Sequence, residues 1–241
     1  MIILVRNLVA VLLFILFIIT FLVFSICTFR RWNLDLSGPI LRGWGRATLW
    51  ILGITLEIEG VWPFEVPAPR VTVMNHQSTL DIVWFSAIAP NRMGGIGKKE
   101  LRWVPFLNIA WWALHMHYID RSNHDKALLT MKMVGEELVR HRRTVGISPE
   151  GTRSEDGSIA PFKKGAFHLA LTHQLPIYPI IVSGPSKLMP KGSFLAKSGT
   201  IKIKFLEPIS TKAWTRNTLS QEIEQLHERF IHEFNNLTNE T

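Results

Sequence analysis

Cysteine is nearly absent from this 241-residue chain. Cys27 stands alone, so no internal disulfide staples the fold. Tyrosine is scarce, at 2, and charged residues make up only 19%. Acidic residues are the smaller charge class, 19 Asp+Glu against 27 Lys+Arg, which leaves a formal charge of +8. Several signatures are missing as well. The nearest approach to a G-x-S-x-G elbow is Gly146-Ile147-Ser148-Pro149-Glu150. There Glu150 stands where the second glycine belongs, and Pro149 has no backbone N–H to serve as an oxyanion donor. No G-x-x-x-x-G-K-[ST] loop occurs, and no G-x-G-x-x-G follows a strand. The histidines, His115-x-His117 among them, lack zinc spacing with a third ligand, so no metal is expected. There is no internal repeat and no low-complexity tract.

What is present is apolar and aromatic. Apolar residues make up 47%, with 9 Trp and 14 Phe, which excludes intrinsic disorder. The length suffices for one large domain or two small ones with a sizeable core. The mean hydropathy of +0.15 is high for a soluble protein and too low for a multi-span transporter. A basic, apolar chain suits either nucleic acid or an anionic membrane surface. No nucleic-acid module or aromatic-basic ribbon is recognisable.

The membrane is favoured by the first thirty residues. Between Arg6 and Arg30 lie 23 residues without charge. At about 1.5 Å per residue they make roughly 35 Å of helix, enough to cross a hydrocarbon core of about 30 Å. A cleaved signal peptide is the competing reading, but its apolar region is shorter and ends in small residues. This one ends in Phe29-Arg30-Arg31-Trp32 and holds Cys27 near its end, so a retained anchor is expected. Arg30, Arg31, Arg42 and Arg46 follow it, against Arg6 before it, which puts the bulk of the chain in the cytoplasm. A second apolar stretch, Ala47–Ile54, is too short to span. It reads as an interfacial helix or as the inner arm of a two-helix hairpin in one leaflet. Whether the first helix spans or sits in one leaflet stays open.

Beyond this segment, strands and helices alternate. Ile54–Glu59, Arg70–Met74, Thr144–Ser148, Leu175–Ser183 and Thr200–Leu206 read as strands. Helices are expected from about Thr79 to Ala89 after a Ser78 cap, and over Glu100–Met116 with a break near Pro105. Others are expected over Asp125–Arg142, Gly165–His173 and Ser220–Phe234. Leu128, Met131, Val134 and Leu138 give the third of these its apolar face. The pattern predicts an α/β domain with a mostly parallel or mixed sheet flanked by helices, behind an N-terminal membrane-embedded helical segment. Residues 1–56 are assigned to the segment and 57–241 to the catalytic domain. Two sequons near the C-terminus, at Asn236 and Asn239, read as a frayed tail.

Chemistry concentrates after two of the strands. Asn75-His76-Gln77-Ser78-Thr79-Leu80-Asp81 begins where RVTVM ends, and strand ends of open α/β sheets are where sites form. On a continuous helix, residues five apart point about 140° away from each other, so His76 and Asp81 would not meet. With His76 in the loop before the helix, Asp81 can orient its imidazole as a base. The plainer reading is a surface histidine and an aspartate favoured by the helix dipole. The second constellation is Ser148-Pro149-Glu150-Gly151-Thr152-Arg153-Ser154. Its Gly151 permits close backbone approach, Thr152 offers a hydroxyl, and Arg153 offers a fork for phosphate. A turn with solvated charges is the alternative. Phe162-Lys163-Lys164-Gly165, Gly97-Lys98-Lys99-Glu100-Leu101 and Ile119-Asp120-Arg121 add cations on loops.

Taken in order, N-H-x-x-x-x-D, G-K-K-E-L with W-x-P-F, I-D-R, P-E-G-T-R-S with P-F-K-x-G-A-F, and L-P-I-x-P-I resemble the 1-acyl-sn-glycerol-3-phosphate (lysophosphatidic acid) acyltransferase family of glycerolipid acyltransferases, over about residues 70–185. The resemblance implies that His76 is the general base and Asp81 its partner. It implies that Glu150, Gly151, Thr152 and Arg153 bind the acceptor's phosphate with help from Arg121 and Lys98, and that Pro176 shapes the acyl or acceptor pocket. The acyl donor would be acyl-CoA or acyl carrier protein, the acceptor lysophosphatidic acid, and the product phosphatidic acid, with no cofactor, metal or nucleic acid involved. Membrane phospholipids would be partners, and the catalytic domain would sit on the cytoplasmic side of the inner membrane. Two departures stand out. The second block reads His115-Met116-His117-Tyr118-Ile119-Asp120-Arg121 where the family usually has Gly six residues before the Arg. Ser148 replaces the aromatic that commonly precedes P-E-G-T-R. They leave another lysophospholipid or lysolipid open as acceptor, and a non-catalytic lipid-binding protein is the alternative from a different class.

Overall fold

A computed structural model of the chain describes residues 1–28, 33–104, 107–154 and 157–239. Arg30, Arg31, the helix break expected at Pro105, and Glu240 and Thr241 of the second sequon lie outside the described residues. Helix α1 (Ile2–Cys27) is long and apolar enough to cross a membrane, and little of it is buried in the protein. Leu4, Leu8, Leu12 and Leu16 all face outward, and Cys27 is exposed near its end. Helix α2 (Asn33–Leu52) runs back beside it, with Phe14 and Phe17 of α1 packed 5.5 and 5.3 Å from the Trp44 ring.

This second helix is longer than its apolar stretch suggested, because its polar half is stabilised by docking. It lies against α3 (Asp81–Ala87) and the chain just after it with almost nothing between the backbones. A Cβ on Gly38 would come 2.6 Å from the Pro90 carbonyl oxygen, and one on Gly45 would come 2.8 Å from the Ala87 Cα. Arg42 donates to the Ala89 carbonyl at 2.6 Å and to Asn91 Oδ1 at 2.9 Å, while Arg46 donates to the Ala87 carbonyl at 3.3 Å. These two arginines thus cap the C-terminal end of α3, where carbonyls lack helical partners. Asp35 pairs with Arg92 at 2.6 Å.

The sheet has seven strands in the order β1-β7-β6-β2-β5-β3-β4. They are β1 (Ile54–Glu59), β2 (Arg70–Met74), β3 (Met93–Lys98), β4 (His117–Ile119), β5 (Thr144–Ile147), β6 (Ile177–Ser183) and β7 (Gly199–Phe205). Every pairing is parallel except β6 with β7, so the sheet is mixed. The expected boundary at residue 56 falls inside β1, an edge strand of this sheet. The central strand β2 is buried at all five residues, as a β-branched run covered on both faces should be. On one face Met74, Ile180 and Val182 pack against α1, α2, α3 and α4 (Leu107–Ala113). On the other, Val71, Val73, Ile177 and Ile181 pack against α5 (His124–His141), α6 (Gly165–Thr172) and α8 (Leu219–Asn239). A single helical turn, α7 (Pro185–Leu188), separates β6 from β7.

Strands β3 and β4 carry no strand signal in the sequence. Three of the six β3 residues are glycine, a composition that reads as loop. Their use is close approach: a Cβ on Gly95 would come 2.8 Å from the Met116 sulfur, and one on Gly97 would come 2.8 Å from the Trp111 ring. The expected Glu100–Met116 helix is a 3-10 turn (Lys99–Trp103) followed by α4. The helix expected from Thr79 begins instead at Asp81, and the last helix runs on to Asn239.

Candidate active site

Strand β2 ends at Met74, and the next six residues fold into a tight loop rather than a helix. Asn75 holds the loop's origin by extending the sheet with its side chain. Its amide donates to the Val182 carbonyl and accepts from the Val182 N–H, both at 2.8 Å. The Ser78 hydroxyl donates to the Met189 carbonyl at 2.6 Å and accepts from Leu80 N–H at 3.2 Å. Helix α3 therefore starts two residues later than a Ser78 cap implies, which leaves His76 free to face Asp81.

The two side chains meet. His76 Nδ1 lies 2.7 Å from Asp81 Oδ2, and the same oxygen accepts from the Gln77 and Ser78 N–H groups at 2.8 and 3.0 Å. Asp81 Oδ1 accepts from Trp84 Nε1 at 2.9 Å, and the Trp84 ring is fully buried. A carboxylate surrounded by donors cannot rotate, so it orients the imidazole with Nδ1–H toward itself. His76 Nε2 carries no hydrogen bond to the described residues. It is the nitrogen left to act as a base.

The second loop grips the first by its backbone. Glu150 Oε1 accepts from the His76 N–H at 2.6 Å, and its Oε2 accepts from Ala160 N–H at 3.0 Å. The Ser154 N–H donates to the His76 carbonyl at 2.9 Å. Glu150 is thus buried, with both oxygens taken, and burial pushes its carboxyl above the usual range despite the two N–H donors. Grouped with the phosphate ligands from sequence, it faces the protein and bonds the loop that carries His76. Arg153 reaches across to Thr79 Oγ1 at 2.6 Å, and Arg121 donates to the Gly151 carbonyl at 2.7 Å. Gly151 has φ +73°, and a Cβ there would lie 2.8 Å from Lys163 Nζ, so only glycine lets that ammonium lie over the turn. Thr152 is exposed on the same loop, and Lys98 is exposed at the end of β3, in register with Ile119 just before Arg121. Next to Arg121, Asp120 is lowered to about 2 by hydrogen bonds from Ser122 and Lys99, so this loop keeps its ion pair throughout the neutral range.

Pro176 is not here. Its carbonyl accepts from the Val71 N–H, at the opposite end of β2 from His76. Five residues of strand separate them, roughly 17 Å at about 3.3 Å per residue. Pro176 is not among the residues that line the cavity beside His76. A cavity of about 180 Å³ opens beside His76 and Asp81 and runs between Phe14, Phe17 and Trp44 of the helical pair and Met74, Phe85, Leu114 and Met116 of the domain. Beyond Phe17 and Trp44 a second apolar groove of about 390 Å³ continues between α1 and α2.

One wall of this cavity depends on a residue with no sequence signal. Arg143 is fully buried, donating to the carbonyls of Met93, Leu114 and His115 at 2.8, 3.0 and 3.0 Å and to Glu137 Oε2 at 3.1 Å. His117 Nε2 shares that Glu137 oxygen at 3.0 Å. Among the described residues no group of three His, Cys, Asp or Glu side chains converges as a metal site would.

An imidazole aimed by a locked carboxylate, an apolar cavity on one side and a cation-rimmed turn on the other equip an enzyme that moves a group on a lipid. The chain belongs to the acyltransferase family, whose model matches residues 56–183. The 1-acyl-sn-glycerol-3-phosphate acyltransferase of Limnanthes alba is 34% identical to it over 197 residues, 82% of this chain and 68% of that one. Human 1-acyl-sn-glycerol-3-phosphate acyltransferase alpha is 34% identical over 194 residues, 80% and 68% of the two chains. The crystal structure of the 1-acyl-sn-glycerophosphate (LPA) acyltransferase PlsC from Thermotoga maritima shares the fold, with a TM-score of 0.69 over 95% of this chain and 97% of that one at 24% identity.

Proposed function

We propose that this enzyme transfers an acyl chain from an acyl thioester to the sn-2 hydroxyl of 1-acyl-glycerol-3-phosphate, giving phosphatidic acid. The observation that carries the reading is the His76–Asp81 pair at 2.7 Å with Nε2 open at the mouth of an apolar cavity. As the acceptor hydroxyl oxygen attacks the thioester carbonyl, its proton passes to His76 Nε2, and Asp81 stabilises the imidazolium. The tetrahedral adduct then collapses, the C–S bond breaks, and the thiolate leaves with the proton returned from Nε2. The thioester is already activated, so positioning and a base supply most of what is needed. No cofactor is required, and acyl-CoA or acyl carrier protein is consumed as co-substrate.

The acceptor's phosphomonoester would lie against Arg153, Arg121, Lys98 and the Gly151–Thr152 turn, where guanidinium forks suit its two charges. Glu150 acts indirectly, by holding the backbone of His76. The acyl chain would occupy the cavity, whose outer wall is the helical pair. That pair keeps the domain on the membrane surface, at the cytoplasmic face of the inner membrane. The test supplies labelled acyl-CoA or acyl carrier protein to detergent-purified protein with lysophosphatidate, lysophosphatidylethanolamine, glycerol 3-phosphate or buffer. Labelled phosphatidate is expected, and His76→Ala should abolish it. An undiminished His76→Ala enzyme, or free acid as the main product in every tube, would overturn the assignment.

A further inference from the structure

The face of the sheet away from the membrane helices carries a cleft that the acyl-transfer site does not use. It measures about 650 Å³ and is lined by Leu128 of α5, by His168, Leu171 and Thr172 of α6, and by Arg216 from the turn before α8. Among the described residues no carboxylate lines it. Lys164 stands one turn before His168 on the same face of α6, its ammonium held 2.9 Å from Ser220 Oγ. Arg216 is displayed by a pre-formed cap. Thr215 N–H donates to Thr218 Oγ1 at 3.0 Å, and Thr218 N–H donates back to Thr215 Oγ1 at 3.2 Å. Two basic side chains from two elements, His168 and Arg216, thus line a concavity together with Leu128 and Leu171, and the Lys164 charge lies near His168.

The cleft is linked to the active site by one short path. The Glu150–Ser154 loop bonds His76, Gly151 lies under Lys163, and Lys163 is the residue before Lys164. From Lys164, α6 carries the cationic face away from the site, about 12 Å over eight residues. A donor whose thioester sits at His76 would cross the rim of the sheet at Lys163 and lay its far end along α6, on the side open to water.

We infer that this cleft binds the nucleotide end of an acyl thioester carrier, with phosphates on Lys164, His168 and Arg216 and the base against Leu128 and Leu171. The size falls within the range of small-molecule sites, and the mixture of cations and exposed apolar side chains matches a phosphorylated nucleoside better than a purely charged surface. Burial, and then the like charges of Lys164 and Arg216, push the His168 imidazolium down. The inference rests on acyl transfer as proposed above.

The experiment uses the full chain in detergent. Adenosine 3′,5′-bisphosphate binding is measured by calorimetry, and initial rates are measured with acyl-CoA, acyl-pantetheine and acyl carrier protein as donors. Arg216→Ala and His168→Ala, both at exposed positions, are compared with wild type. Each should raise KM for acyl-CoA roughly tenfold, as loss of one charge-assisted hydrogen bond implies, and weaken bisphosphate binding in parallel. The acceptor's KM and the rates with acyl-pantetheine, which has no nucleotide, should not change. An unchanged KM for acyl-CoA, or an equal loss with acyl-pantetheine, overturns the inference. So does a loss confined to acyl carrier protein, which would make the cleft a protein-docking surface. If no donor supports transfer in wild type, acyl transfer itself fails, and the calorimetry still reports whether the bisphosphate binds through Arg216.

Discussion

Replacing Asp81 by asparagine tests the base most directly, because the surroundings dictate how the amide must sit. With its oxygen in the place of Oδ2, the amide still accepts from Gln77 and Ser78 N–H and from His76 Nδ1–H. Flipped, its NH2 would face those donors, so the first orientation is favoured and the histidine keeps its tautomer. What is lost is the negative charge facing the imidazolium. With charge centres about 4 Å apart, that attraction is about 4 kcal/mol at an effective dielectric of about 20. The His76 side chain is 31% exposed, so solvent screens part of it. The expected loss in kcat for Asp81→Asn is roughly a hundredfold to a thousandfold. The same substitution turns an NH2 toward Trp84 Nε1–H inside the core, donor against donor, a destabilisation of about 1–3 kcal/mol. Rates are read from thiol release with lysophosphatidate as acceptor, and stability from thermal unfolding in the same detergent. Repeating the change in a Trp84→Phe background separates the two effects: the stability loss should shrink and the rate loss should persist. An Asp81→Asn enzyme within a few-fold of wild type, while His76→Ala is dead, would refute the orienting role of the carboxylate.

Glu150→Gln leaves one of two buried N–H groups facing an amide NH2, which should destabilise the protein by about 1–3 kcal/mol and lower kcat through the displaced His76 loop. The Glu150 carboxyl also has a pH signature. Its value is raised by burial, so the folded state holds the proton more tightly and stability rises as pH falls from that raised value toward the ordinary 4.5. Thermal unfolding between those limits should show the rise in wild type and not in Glu150→Gln. Arg153→Ala should raise the acceptor's KM roughly tenfold to a hundredfold through a lost charged contact, with kcat little changed, and an unaltered KM would remove Arg153 from the phosphate site. Gly45→Ala forces a Cβ to within 2.8 Å of the Ala87 Cα, and separating two backbones should destabilise by about 1–3 kcal/mol in thermal unfolding.

The sequence pattern carried the reading furthest where an element's apolar residues meet the core and nothing else acts on it. The helix expected over Asp125–Arg142 is His124–His141, and RVTVM is the buried centre of the sheet. The reading failed where tertiary contacts choose the conformation. The β3 glycines have a loop composition because Met116 and Trp111 occupy the space of their side chains. Helix α2 is weak by propensity through Gly38, Pro39, Gly43 and Gly45, and it is held by packing on α3, as most protein helices are. The His76–Asp81 pairing was legible because a motif at a strand end leaves few geometries. The orientation of Glu150 was not legible, since a carboxylate among phosphate ligands and one holding a backbone N–H look alike in sequence. The place of Pro176 depended on strand register, which no local pattern encodes.

How α1 meets the membrane follows from what its two ends touch. Near its start, Asn7 Nδ2 donates to the Ala196 carbonyl at 2.9 Å, and Asn7 Oδ1 accepts from Ala196 N–H at 2.8 Å. Past its far end, Asp35 at the start of α2 pairs with Arg92. Both Ala196 and Arg92 belong to the catalytic domain. A helix crossing about 30 Å of hydrocarbon would put its ends on opposite sides, where one domain cannot reach both. These contacts predict an α1 that lies along the membrane surface, its outward leucines in lipid and its inner face closing the cavity over His76. In sealed vesicles, a Cys27→Ser protein carrying Ile2→Cys should react with an impermeant maleimide from the same side that labels Lys212→Cys, an exposed position of the domain. Labelling of Ile2→Cys only from the other side would mean that α1 crosses the bilayer. The Asn7–Ala196 pair would then be broken in the membrane, and the cavity would lose the wall that Phe14 and Phe17 supply.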